Sequence, residues 1–132
     1  DEVDTHELVT TISKTKHVLL PVIDNDIMVV KSFQGFETMS SDNPFRIGEP
    51  TGEIVSNPQP DFIVMPGLAF DSNCNRLGRG KGYYDKFLAK SKYTVPRIAI
   101  AFNEQLVDSI PTEPHDMPID GVITPNNIFF ND

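Results

Sequence analysis

Residues 61–88, DFIVMPGLAFDSNCNRLGRGKGYYDKFL, constrain this chain more than any other stretch. Phe62, Ile63, Val64 and Met65 form an unbroken apolar run with a β-branched centre, the pattern of a strand buried on both faces. Pro66 and Gly67 end it. The segment that follows carries Asp71, Arg76 and Arg79, passes through Gly78, Gly80 and Gly82, and enters a helix predicted over about Tyr83 to Leu88. Glycines let the backbone approach an anion with its N–H groups, and the start of a helix adds partial positive charge. Arg76, Arg79 and Lys81 add full charges. In a chain of formal net charge -8, such a local cluster of cations points to a negatively charged partner. Asp85, just inside the helix, is suited to cap it or to hold a divalent cation bridged to phosphate. A loop that only turns a strand into a helix and points its charges at solvent has much the same composition.

Length and composition set the outer bounds. A chain of 132 residues suffices for one domain with a real core, so residues 1–132 read as a single domain. Hydrophobic residues at 39% and charged residues at 23% suit a soluble globular protein. The acidic balance argues against a general nucleic-acid binder, which needs a basic face. No apolar run approaches the roughly 20 residues that span a bilayer, and no signal-peptide pattern opens the sequence. With Cys74 as the single cysteine, an internal disulfide is impossible, and a reducing, cytoplasmic setting is expected. Cys74 reads as incidental, since no neighbouring histidine is in sequence reach to activate it. His6, His17 and His115 lack metal-ligand spacing.

Along the chain, Asp4 and Glu7 look like a capping pair for a helix from about Thr5 to Lys14, with Leu8, Val9 and Ile12 on one face. Val18, Leu19, Leu20, Val22 and Ile23 make a strand ended near Pro21 and the polar Asp24-Asn25-Asp26. Ile27 to Phe33 pairs with it across that turn. Gln34 to Pro60 reads as a long loop, in which Phe33, Phe36 and Phe45 either stack on a flat ligand or pin the loop to the core. Arg97 to Phe102 is a second buried strand, with Ile98, Ile100 and Phe102 alternating with alanines. Strand, helix and strand in about 40 residues form a crossover unit with parallel neighbours. Gln105 to Ile110 is predicted as a short helix, Pro111 to Pro118 as an irregular turn, and Gly121 to Thr124 as a last short strand. The expected architecture is α/β, three-layered, with a mostly parallel central sheet and helices on both faces, whose ligands gather at the carboxyl ends of the strands.

PGLAFD followed by RLGRGKGYYDKFL resembles the signature of the 5-formyltetrahydrofolate cyclo-ligase (5,10-methenyltetrahydrofolate synthetase) family. Asp1-Glu2-Val3-Asp4-Thr5, Leu20-Pro21, Ile47-Gly48-Glu49-Pro50, Ile98-Ala99-Ile100-Ala101-Phe102 with Glu104-Gln105, and His115 through Asp120 resemble other family segments in the same order. Members of that family carry a basic helix and a first strand ahead of the position matching Asp1, and the expectation is that this chain lacks them. The resemblance implies an ATP- and Mg²⁺-dependent ring closure of 5-formyltetrahydrofolate to 5,10-methenyltetrahydrofolate with release of ADP and phosphate. The formyl oxygen is a poor leaving group until a phosphoryl group is transferred to it, so catalysis rests on positioning and charge stabilisation.

On that resemblance, Arg76, Gly78, Arg79, Gly80, Lys81, Gly82, Tyr83 and Asp85 bind ATP, with Arg79, Tyr83 and Tyr84 acting in the reaction. Asp85 and Asp120 are the magnesium ligands, although Asp120 also suits a strand or turn cap. Glu2, Phe70 and Tyr84 contact folate; for Glu2 the alternative is a solvated or helix-capping residue. Asp71 orients the loop. Tyr83 and Tyr84 are adjacent in a helix and point about 100° apart, so one packs inward while the other faces the site. The implied partners are folate and ATP, with neither nucleic acid nor membrane, and a monomer is favoured. The alternatives are a nucleotide- or phosphosugar-binding protein of similar fold, or an inactive fragment.

Overall fold

Leu8, Val9 and Ile12 fall on one face of helix α1 (His6–Ser13), within the predicted bounds. Thr5 occupies the cap position without a side-chain cap bond; instead the His6 N–H donates to Asp4 Oδ1 at 2.9 Å, while Glu7 lies in the first turn. The computed structural model describes residues 3–40, 48–78, 82–91, 94–113 and 118–131. These fall into two units, Asp4–Pro58 and Gln59–Asp132 with Asp1–Val3.

In the first unit, β1 (Leu19–Asp24) and β2 (Ile27–Ser32) pair antiparallel from Asp24↔Ile27 to Leu19↔Ser32. The turn between them has Asn25 at φ 51° and Asp26 at φ 64°, a left-handed pair whose twist matches the hairpin. Pro21 does not end the strand: it sits within β1 opposite Val30 and is exposed, as an edge strand allows. The long segment after β2 is tied back onto the hairpin. Val55 N donates to Val30 O at 2.9 Å, Ile23 N to Glu49 Oε2 at 3.1 Å, and Ser40 and Glu49 exchange backbone bonds of 2.8 and 2.9 Å. Phe36 opens a single 3₁₀ turn (Phe36–Thr38), its ring 4.8 Å from that of Phe33 and 4.1 Å from that of His6. The two phenylalanines thus stack on each other and, through Phe36, on α1; Phe45 lies outside the described residues.

The second unit is built on β3 (Ile63–Met65), the hairpin of β4 (Ala69–Phe70) and β5 (Arg76–Leu77), helix α2 (Tyr83–Ser91), β6 (Arg97–Ile100), β7 (Gly121–Ile123) and β8 (Ile128–Phe130). The four-stranded sheet has the order β3-β6-β7-β8. The first two pairings are parallel and the last antiparallel, so the sheet is mixed and mostly parallel. Met65, Phe70, Cys74, Leu88, Ala99, Ala101, Ile119 and Val122 form its buried cluster.

Two expectations are corrected here. The strand expected over Arg97 to Phe102 ends at Ile100, and the stretch is not buried throughout: Ala99 is 0% and Ala101 3% exposed, against 41% for Phe102. Both alanines belong to the same buried cluster as the larger Phe70 and Leu88, and close packing against such neighbours suits small side chains. Residues 105–110 also do not form a helix. A 3₁₀ turn (Asn103–Gln105) is followed by extended chain, because Leu106 bridges Phe70 in parallel and Val107 N donates to Phe70 O at 2.8 Å. A helix of six residues has too little cooperativity to compete with those bonds.

Candidate functional site

Pro66 and Gly67 end β3 as predicted, and the turn leads straight into β4. A Cβ on Gly67 would lie 2.7 Å from Phe70 Cζ and 3.1 Å from Arg76 Cγ, so this glycine is required by the close approach of the hairpin. Gln105, 7% exposed, holds the same turn: its Nε2 donates to Gly67 O at 2.9 Å and to Leu68 O at 3.3 Å, while its Oε1 accepts from Phe102 N at 2.9 Å. The hairpin is fixed at its far end by Asp71. That carboxylate accepts from Asn73 N, Asn75 N, Asn75 Nδ2 and Ile110 N at 3.0–3.1 Å, with 2% of its surface exposed. Burial pushes its pKa up, but the hydrogen bonds from Asn75, Ile110 and Asn73 outweigh this and the net shift is downward. The loop-orienting role expected of Asp71 has this bonding as its physical basis.

Arg76, on β5, is half-buried, with its guanidinium carbon 5.6 Å from the centre of the Tyr84 ring. Among the described residues its buried Nε has no hydrogen-bond partner. A Cβ on Gly78 would come within 2.7 Å of Arg76 Nη1, so the glycine leaves the guanidinium room to lie along the loop. Gly82 has φ +70° and accepts from Lys86 N at 2.9 Å, which makes it the residue that opens α2. Tyr84 packs against the core cluster, and Tyr83 is half-buried beside it. Asp85 lies in the first turn of α2 and is also half-buried. The structure thus brings together Arg76, Gly78 and Tyr84, next to the turn where Gly82 and Asp85 start the helix. Arg79, Gly80, Lys81, Glu2 and His115 lie outside the described residues.

Phe70, expected to contact folate, is instead 0% exposed and belongs to the core, where it bears on the loop through packing and its backbone. Asp120 precedes β7; its Oδ2 accepts from Arg97 N at 2.7 Å and its N–H donates to Arg97 O at 2.8 Å, at the amino ends of β6 and β7. Among the described residues no three His, Cys, Asp or Glu side chains are gathered as a metal cage. A magnesium ion carried by phosphate needs only one or two carboxylates, a donor chemistry that Asp85 offers in the first turn of α2, whereas one oxygen of Asp120 is engaged by Arg97 N as a strand cap would be. Cys74 is fully buried at φ +63°, and burial, then Asp71 and Asp120, push its thiol pKa up, away from nucleophilic chemistry. Sequence reasoning missed the bonding role of Gln105, since one polar residue after a strand carries no periodic or motif signal of its own.

The model of the 5-formyltetrahydrofolate cyclo-ligase family matches residues 1–125. The 5-formyltetrahydrofolate cyclo-ligase of Escherichia coli K12 is 30% identical over 97% of this chain and 74% of its own length. The mouse protein of that name is 43% identical over 58% of this chain. This chain spans 39% of the mouse protein and 59% of the probable cyclo-ligase of Schizosaccharomyces pombe. Among solved structures, the 5,10-methenyltetrahydrofolate synthetase of Aquifex aeolicus superposes with a TM-score of 0.81 at 31% identity, covering 98% of this chain and 66% of that one. A family match over nearly the whole chain, together with a shared α/β fold, has one consequence. The chain belongs to the 5-formyltetrahydrofolate cyclo-ligase family.

Proposed function

We propose that the protein closes the ring of 5-formyltetrahydrofolate to 5,10-methenyltetrahydrofolate, consuming ATP and releasing ADP and phosphate. The observation that carries this reading is the family match over residues 1–125, with RLGRGKGYYD present in full. In the reaction the formyl oxygen attacks the γ-phosphorus and ADP leaves. The folate N10 then attacks the activated carbon and gives up its proton, the bond to the phosphorylated oxygen breaks, and phosphate departs carrying that proton or passing it to water. No group on the protein is consumed, so its contribution is orientation and charge.

Arg76 supports the reading best among the described residues. Its guanidinium, stacked on Tyr84 and half removed from water, is a restrained cation for phosphate oxygens, and charge-assisted bonds gain strength where water is scarce. Arg79 and Lys81 would neutralise the remaining triphosphate charge, Gly78, Gly80 and Gly82 would let backbone N–H groups approach it, and Tyr83 would lie against the nucleotide. Asp85 would hold a magnesium ion, which would offset phosphate charge there, and Asp120 is the second candidate ligand. Tyr84 and Glu2 would contact the folate, with Phe70 supporting the loop from the core. The finer architecture we propose is three-layered, helices covering both faces of the sheet, with the 132 residues working as one domain of a cytoplasmic monomer.

The test is absorbance in the methenyl-folate band after mixing the protein with 5-formyltetrahydrofolate, ATP and Mg²⁺. Growth of the band that requires ATP is the expected result. A flat trace from folded protein, with no ADP formed, would overturn the assignment.

A further inference from the structure

The geometry points to Gln105 as a positioning residue for Arg76, acting through the turn at Gly67; this rests on the reading of Arg76 as a phosphate ligand. The chain of contacts is short. The Gln105 amide grips Gly67 O and Leu68 O from one side and Phe102 N from the other, so the ends of β3 and β6 are locked to each other through one buried side chain. Gly67 in turn lies against the stem of Arg76, with 3.1 Å between its would-be Cβ and Arg76 Cγ. Leu68 N donates to Leu77 O at 2.8 Å, which fixes the strand carrying Arg76 in register with the same turn. The guanidinium at the end of that stem rests on Tyr84, and its Nε is buried with no hydrogen-bond partner among the described residues.

A buried donor left open is costly and persists only where the surrounding structure holds it. Among the described residues Arg76 Nε is therefore placed by packing, and the packing partner on its stem is a glycine turn whose carbonyls are held by Gln105. Loss of the amide would free the turn by tenths of an ångström to an ångström, enough to misplace a cation whose use depends on alignment.

Two variants separate positioning from plain stability. Gln105→Met keeps the volume and removes all three bonds. Gln105→Glu keeps the acceptor for Phe102 N and, when ionised, sets an oxygen against the two carbonyls; once protonated it regains a donor. The readouts are the Arg76 Nε–Hε resonance by NMR and ATP affinity by calorimetry without folate. For Gln105→Met we expect a shifted resonance and ATP affinity weaker by roughly tenfold, the scale of a lost buried hydrogen-bond pair. For Gln105→Glu both readouts, taken relative to wild type at the same pH so that the titration of ATP itself cancels, should move towards wild type as pH falls and away as it rises, since facing carbonyls and burial favour the protonated acid.

A merely structural Gln105 would lower the melting temperature of both variants and leave the resonance and the affinity of the folded protein unchanged, and that result would overturn the proposal. Should Gln105→Met not fold, the pH response of Gln105→Glu decides alone. Should wild type not bind ATP, the phosphate reading of Arg76 fails, while the Arg76 resonance still reports whether Gln105 positions it.

Discussion

Asp71 carries a charge with 2% of its surface exposed because four donors converge on it, and those donors span the turn after β4 and the chain at Ile110. Removing that charge leaves N–H groups facing an amide that cannot accept from all of them, so Asp71→Asn should cost about 2–4 kcal/mol in urea unfolding. The pH dependence has a definite sign. A pKa held below the ordinary 3.8 means that the stabilisation is fully present above that value and is lost as pH falls through the lower folded value. Wild type should lose stability across that acid range while Asp71→Asn shows a flatter acid limb. For the metal, Asp85→Asn should raise the Mg²⁺ concentration needed for half-maximal turnover by at least about tenfold, the scale seen even for outer-shell partners. Asp120→Asn is the informative companion, because an amide oxygen can still accept from Arg97 N. An unchanged metal titration in either variant removes that residue as a ligand.

Helix α2 is held to the sheet chiefly by Leu88, which is 0% exposed, with Tyr84 and Phe87 packed beside it. Leu88→Ala should destabilise the protein by about 2–5 kcal/mol, transfer and cavity terms together, and chemical denaturation measures it. Because Tyr84 lies one helical turn earlier, loosening α2 should also blur the Arg76–Tyr84 stacking. At this scale α1, the β1–β2 hairpin, β3, α2, β6 and β7 were legible from periodicity and turn residues. The β4–β5 hairpin was not: strands of two residues have no period to read. The burial sense of the 97–102 stretch was also hidden, since alternation gives two faces but does not say which one enters the core.

For the molecule as a whole, a ligand that binds only the folded state raises apparent stability by mass action. ATP with Mg²⁺ at about 100 times its dissociation constant should add about 2.7 kcal/mol, read as a higher melting temperature, and Arg79→Ala should lose most of that gain. No shift with wild type would count against a nucleotide site. The cationic, glycine-rich stretch at 76–82, its place between a strand and a helix, and the kinship it signals were all set by the order of residues alone, because motif and period are local properties. Tertiary structure decided the rest. Gln105 meets Gly67 across 38 positions and Asp71 meets Ile110 across 39, and only the folded chain brings such groups within hydrogen-bond reach and out of water. Whether a polar residue is a solvated bystander or a buried clamp depends on that encounter, which no local pattern encodes.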